Sequence, residues 1–182
     1  MWNIPNTLTT LRIIMIPVFV VTFYLPFEWA HFSAAVIFAV AAITDWLDGY
    51  LARKLEQQTA FGAFLDPVAD KLIVACALIL LTDYFQAWYI TFAAIVMVSR
   101  EILISALREW MAELGQRGLV QVSSIGKWKT WAQLMALTGL ISGEQGWVQW
   151  AALVLLYIAV VLTFWSMVVY LKAAWPQITN EK

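Results

Sequence analysis

The chain has 182 residues, 63% of them hydrophobic and 13% charged, with a mean hydropathy of +0.77. Soluble domains are nearer half apolar and a quarter charged, and disordered chains need few apolar residues, so both classes are excluded. A net charge of −1 and a pI of about 5.8 offer no basic surface for nucleic acid, which leaves an integral membrane protein of several spans.

Residues 1–10 carry no base and hold Trp2, Ile4, Pro5 and Leu8, a pattern that predicts a short interfacial helix ahead of the first span. Arg12 lies inside the apolar run that follows, unlike the basic leader of a cleaved signal peptide, so the first span is expected to be retained. Six stretches of suitable length follow in order, at 9–26, 32–53, 64–81, 87–107, 125–141 and 148–171. None alternates polar and apolar residues as a barrel strand would, so all are read as helices. The turns are short and no repeat or linker interrupts them. The expected fold is one all-α membrane domain over residues 1–182, with six transmembrane helices. Eleven Trp, six Tyr and ten Phe suit rings gathered at lipid–water boundaries. Cys76, the single cysteine, has no disulfide partner and is read as core packing.

The turns at 27–31, 82–86 and 142–147 contain no Lys or Arg. Every basic residue falls on the other side or in a span portion nearer to it. The positive-inside rule therefore predicts both termini, the 53–62 turn and the longer 108–129 turn in the cytoplasm.

The second and third spans hold four acids, Asp45, Asp48, Asp66 and Asp70. A carboxylate within a span costs about 2.5–3.5 kcal/mol on insertion scales, so such residues are functional candidates. Asp45 and Asp48 share one helical face, as do Asp66 and Asp70, and a short turn brings the two pairs toward the same leaflet. Protonation, salt bridges or metal ions can compensate the charge. Arg53 and Lys71 are too few to neutralise four acids. An all-oxygen donor set suits Mg²⁺ or Mn²⁺ rather than Zn²⁺, and His31 is expected on the opposite side. Four carboxylates are about the number that two divalent cations sharing a ligand require. Gly49, Ala52 and Gly62 near these acids permit close approach of a helix or of a flat ligand.

Residues 45–70 read DWLDGYLARKLEQQTAFGAFLDPVAD, which fits D-x2-D-G-x2-A-R-x8-G-x3-D-x3-D. This resembles the signature of the CDP-alcohol phosphotransferases, and no motif position departs from it. The resemblance implies transfer of a phosphatidyl-type group from a CDP-linked donor to an acceptor hydroxyl, with release of CMP. It implies that Asp45, Asp48 and Asp66 bind two divalent cations, with Asp70 near them and acting as general base. It further implies that Gly49, Ala52 and Gly62 make room for the cytidine nucleotide and that Arg53 meets its phosphates. No covalent nucleophile stands out, so direct displacement is expected.

A second cluster bears on the acceptor. Glu101, Ser105 and Arg108 form one stripe of the fourth span, with Arg100 close to it, and Lys127 and Lys129 open the fifth. These bases either hold a phosphate on the acceptor or mark topology and meet anionic lipid heads. Arg100 lies deep for a topology marker. The stretches NIPNTLTTLRIIMIP, SREILISALREWMAELG and GKWKTWAQ extend the family likeness over nearly the whole chain. They imply CDP-diacylglycerol as donor and sn-glycerol 3-phosphate as acceptor, with Arg100, Arg108 and Lys127 on the acceptor phosphate and Asn6 and Arg12 near the nucleotide or lipid head. The resemblance also implies a homodimer among membrane lipids, in a bacterial cytoplasmic membrane with the site on its cytoplasmic face. Rival readings are another acceptor in the same family (inositol phosphate, serine or phosphatidylglycerol) and, from a different class, a cation-coupled transporter. Inverted repeats and matched broken helices, common in transporters, are not found.

Overall fold

The computed structural model describes residues 4–54, 60–113 and 124–179, all helical apart from short turns. Six helices follow in order: α1 Ile4–Phe23, α2 Ala30–Lys54, α3 Ala60–Phe85, α4 Trp88–Glu113, α5 Ser124–Ile141 and α6 Trp147–Thr179. The bundle is built from α1 against α2 and α3, α4 against α3 and α6, and α5 against α2, α3 and α6.

Residues 4–10, expected in a separate interfacial helix, instead belong to α1, which runs unbroken from Ile4 to Phe23, while residues 1–3 lie outside the described residues. Pro5 falls in the first turn, where a missing N–H leaves no intrahelical bond unmade. Pro67 behaves differently. It lies inside α3, well after the start at Ala60, so the carbonyl of Ala63 loses its usual i→i−4 donor while the helix continues.

The outside of the bundle is apolar. Leu11, Ile14 and Val18 on α1, Val36, Val40 and Ile43 on α2, and Val154, Ile158 and Val161 on α6 are all exposed. A contiguous apolar exterior of this extent is what lipid, not water, would solvate. Among the described residues, α4 and α6 are each long and apolar enough on their own to cross a membrane. Exposed Trp residues mark both ends. Trp29, Trp88, Trp147 and Trp150 lie toward the short turns, and Trp128, Trp131, Trp165 and Trp175 toward the other end. On α6, Trp147 and Trp165 are about 27 Å apart along the axis at 1.5 Å per residue, close to the thickness of a hydrocarbon core.

Packing divides the bundle into two halves. The main buried cluster takes Phe19 and Phe23 from the end of α1, Ala34 and Phe38 from the start of α2, Leu78 and Leu81 from the end of α3, and Ile90 and Met97 from the start of α4. Leu137 and Ile141 complete it from the end of α5, and Ala152 and Leu156 from the start of α6. All of these lie toward the short turns at 24–29, 86–87 and 142–146. The opposite half holds a smaller cluster of Ile104, Leu107, Met111, Tyr170 and Ala174 between α4 and α6, and it is there that the charged residues collect.

The α5–α6 seam is closest in the half nearest the short turns. A Cβ placed on Gly139 would stand 2.9 Å from the Cβ of Ala152, so the helices meet backbone to backbone. Gly139→Ala is expected to lower stability by about 1–3 kcal/mol through overpacking. Adding Ala152→Gly should recover most of the loss. Thermal unfolding of the single and double variants in detergent checks both outcomes.

Candidate active site

The half away from the short turns contains a polar cavity of about 290 Å³. Asp70, Lys71 and Val74 line it from α3, Arg100, Glu101 and Arg108 from α4, Lys129, Thr130, Gln133 and Leu134 from α5, and Tyr170 from α6. Among the described residues four cations thus face two carboxylates, a local surplus of two positive charges inside an apolar-walled bundle. Interior charge without counter-charge is unfavourable, so this imbalance suits an anion of about two charges.

Glu101 is the centre of the arrangement. Its Oε1 accepts from Nη1 of Arg100 at 2.9 Å and also from Nζ of Lys129, tying α4 to α5. Arg100 is only 8% exposed and Lys129 only 4%, so neither ammonium nor guanidinium is solvated by bulk water. Nη2 of Arg100 donates to Oγ of Ser166 at 3.2 Å, which joins α6 to the same group. Lys71 donates to Oγ of Ser105, joining α3 to α4. Arg108 is exposed on the cavity wall, and its Nη2 donates to the hydroxyl of Tyr170 at 3.1 Å.

Expectation and structure can be compared residue by residue. Arg100 and Arg108 share the cavity with Asp70. Lys127 lies on α5, but its side chain is outside the described residues, and it is Lys129 that lines the wall. Asp45, Asp48, Gly49, Ala52 and Arg53 lie in the final turns of α2 and Asp66 on α3, directly before Pro67. The side chains of these residues and of Asn6 are likewise outside the described residues, as is the whole of Arg117. Gly62 is buried on α3. Arg12 is buried on α1 and does not line the polar cavity.

Sequence reasoning missed Ser166 and Tyr170. Their signal lies in α6, where Thr163, Ser166 and Tyr170 recur at helical spacing within an otherwise apolar run, and all three are buried. Among the described residues no group of three His, Cys, Asp or Glu is assembled for a metal. The donor set that α2 and α3 carry as a sequence is wholly carboxylate, and hard oxygen donors of that kind fit Mg²⁺ or Mn²⁺.

A motif of spaced aspartates on two consecutive helices, beside a cationic cavity in an apolar bundle, defines a class of enzyme. The sequence model of the CDP-alcohol phosphatidyltransferase family matches residues 2–165, and the chain belongs to that family. Its relatives include the CDP-diacylglycerol--glycerol-3-phosphate 3-phosphatidyltransferase of Escherichia coli (strain K12), 57% identical over 180 residues and 99% of both chains. The proteins of the same description from Shigella sonnei (strain Ss046) and Salmonella typhimurium (strain LT2) are also 57% identical, over 99% and 95% of each chain. Ser166 and Tyr170 fall beyond the stretch that the family model matches.

Because Glu101 is shared by two buried cations, Glu101→Gln is expected to lower stability by about 1–3 kcal/mol, discounted for the partial exposure of the carboxylate. A double-mutant cycle with Lys129→Met, followed by thermal unfolding, should return a favourable coupling energy between the two positions.

Proposed function

We propose that the chain transfers the phosphatidyl group of CDP-diacylglycerol to sn-glycerol 3-phosphate, giving phosphatidylglycerophosphate and CMP. The relatives of this description support it along nearly their full length. The observation that carries the choice of a phosphate-bearing acceptor is the surplus of two positive charges among the described residues lining the cavity beside Asp70, matched to a phosphate monoester dianion. A neutral acceptor such as serine would leave those cations uncompensated.

The reaction is a direct displacement at phosphorus. Asp70 takes the proton of an acceptor hydroxyl, and the oxygen of that hydroxyl attacks the phosphorus bonded to diacylglycerol. The bond from that phosphorus to the bridging oxygen breaks, and CMP leaves with the electron pair. Arg100, Arg108 and Lys127 hold the acceptor phosphate, and Lys129 contributes from its place in the cavity wall. Gly49, Ala52 and Gly62 leave room for the cytidine nucleotide, Arg53 meets its phosphates, and Asn6 and Arg12 lie near the nucleotide or lipid head. Asp45, Asp48 and Asp66, with Asp70 beside them, would hold two divalent cations, Mg²⁺ or Mn²⁺, which neutralise pyrophosphate charge when bound.

The same reading makes all six helices transmembrane, with both termini and the cavity facing the cytoplasm of a bacterial inner membrane. Its support is the segregation of Lys and Arg to one end of the chain's turns and the apolar exterior of all six helices. The protein acts as a homodimer in this reading.

The purified protein with CDP-diacylglycerol and Mg²⁺ should release CMP only when sn-glycerol 3-phosphate is added, and Asp48→Ala should abolish the release. Release with inositol phosphate or serine instead would keep the family and overturn the acceptor. Asp70→Asn should lower turnover by about 10²–10⁴-fold while metal-dependent binding of the lipid donor remains measurable. Arg108→Ala should raise KM for glycerol phosphate by about 10–100-fold, with little change for the lipid donor. Steady-state kinetics with each substrate varied in turn reads both.

A further inference from the structure

Tyr170 stands between the two arginines of the cavity. The guanidinium carbon of Arg100 lies 5.8 Å from the centre of its ring and that of Arg108 lies 5.3 Å from it. Its hydroxyl accepts a hydrogen bond from Arg108. The ring is itself only 5% exposed and is packed with Ile104, Leu107, Met111 and Ala174, so it has little freedom to move.

Two like charges gathered within 6 Å of one ring repel each other, the more so because Arg100 is buried. An acid placed between them would relieve that repulsion by neutralising them. An aromatic ring relieves it through its quadrupole while leaving the full positive charge in place. Among the described residues no carboxylate is paired with Arg108, whereas Arg100 already has Glu101. Nε of Arg100, a residue that lines the cavity, is buried and has no hydrogen-bond partner.

From this geometry we infer that Tyr170 is a positioning and specificity residue, which holds Arg100 and Arg108 as a charged pair preset for the phosphate of the acceptor. The inference rests on the acceptor site proposed above. It adds a role for α6, whose polar residues Ser166 and Tyr170 each hold one arginine. Tyr170 acts through the arginines and does not need to touch the reacting phosphorus. A phosphate-bearing acceptor is selected because the pair is held charged, and a neutral alcohol has nothing to offer it.

The test compares Tyr170→Phe and Tyr170→Leu in the full-length protein in detergent. Inorganic phosphate serves as a competitor for the acceptor site and CMP as a competitor for the donor site. Tyr170→Phe keeps the ring and loses the hydrogen bond, so KM for glycerol phosphate should rise about 3–10-fold. Tyr170→Leu loses both, and the rise should exceed that of the Phe variant. In each, the concentration of inorganic phosphate needed for half-inhibition should rise in step, while inhibition by CMP and KM for the lipid donor stay within twofold.

A merely structural role would move kcat and both KM values together, or weaken inhibition by phosphate and by CMP alike, and either outcome overturns the inference. An unchanged acceptor KM in a folded Tyr170→Leu variant overturns it as well. If Tyr170→Leu does not fold, the Phe variant alone decides, since an unchanged phosphate inhibition there removes the role of the hydroxyl and with it the proposed coupling to Arg108. Failure of the acceptor assignment itself is separable, because it would show in the wild-type protein as CMP release that glycerol phosphate does not stimulate.

Discussion

Glu101 binds two cations whose surroundings offer them almost no water, and the polar half of the bundle is organised around that fact. In a structure whose exterior is apolar, ionisable groups have to turn inward and find one another. Arg100 and Lys129 do so through one carboxylate, which ties α4 to α5, while Ser166 and Ser105 bring α6 and α3 to the same centre. A site gathered from four helices in this way holds its geometry only if those helices cannot slide.

The other half of the molecule supplies that restraint. Phe19, Phe38, Leu81, Ile90, Met97, Leu137 and Leu156 interlock at the end nearest the short turns, drawing on all six helices. Interiors packed at this density transmit position along rigid helices with little give. The contact of Gly139 with Ala152 sets α5 against α6 at close range. It thereby fixes where Lys129 and Tyr170 arrive several turns away. Stability and chemistry are thus assigned to opposite ends, and the helices connect them.

What was legible in the sequence follows from the same physics. The aspartates stood out because an acid in an apolar run has a cost large enough to need a reason, and their spacing added a family motif. Arg100 was legible for the same reason, since it lies too deep to mark topology. The part played by Lys129 was not. It sits in GKWKTWAQ as one base among several, and only the packing of the helices shows that it meets Glu101. Tyr170 was less legible still, because a tyrosine within an apolar helix reads equally well as an interfacial ring. The separate N-terminal helix was misread because Pro5, taken with Trp2, Ile4 and Leu8 as part of an interfacial segment, instead sits comfortably in the first turn of α1.

The cavity uses two kinds of counter-group, and the difference between them decides what the site can bind. Had every cation been given an acid, as Arg100 and Lys129 are given Glu101, the walls would be neutral and an incoming phosphate would have to displace existing pairs. Had none been given one, four cations in an apolar bundle would not tolerate assembly before the substrate arrived. One shared carboxylate removes enough charge to let the helices close. The aromatic ring of Tyr170, beside Arg100 and the acid-free Arg108, steadies the two guanidiniums without removing more. The balance leaves the folded protein with its positive surplus intact beside Asp70, so the free energy of neutralising it becomes available when a phosphate-bearing acceptor enters next to the base that activates it.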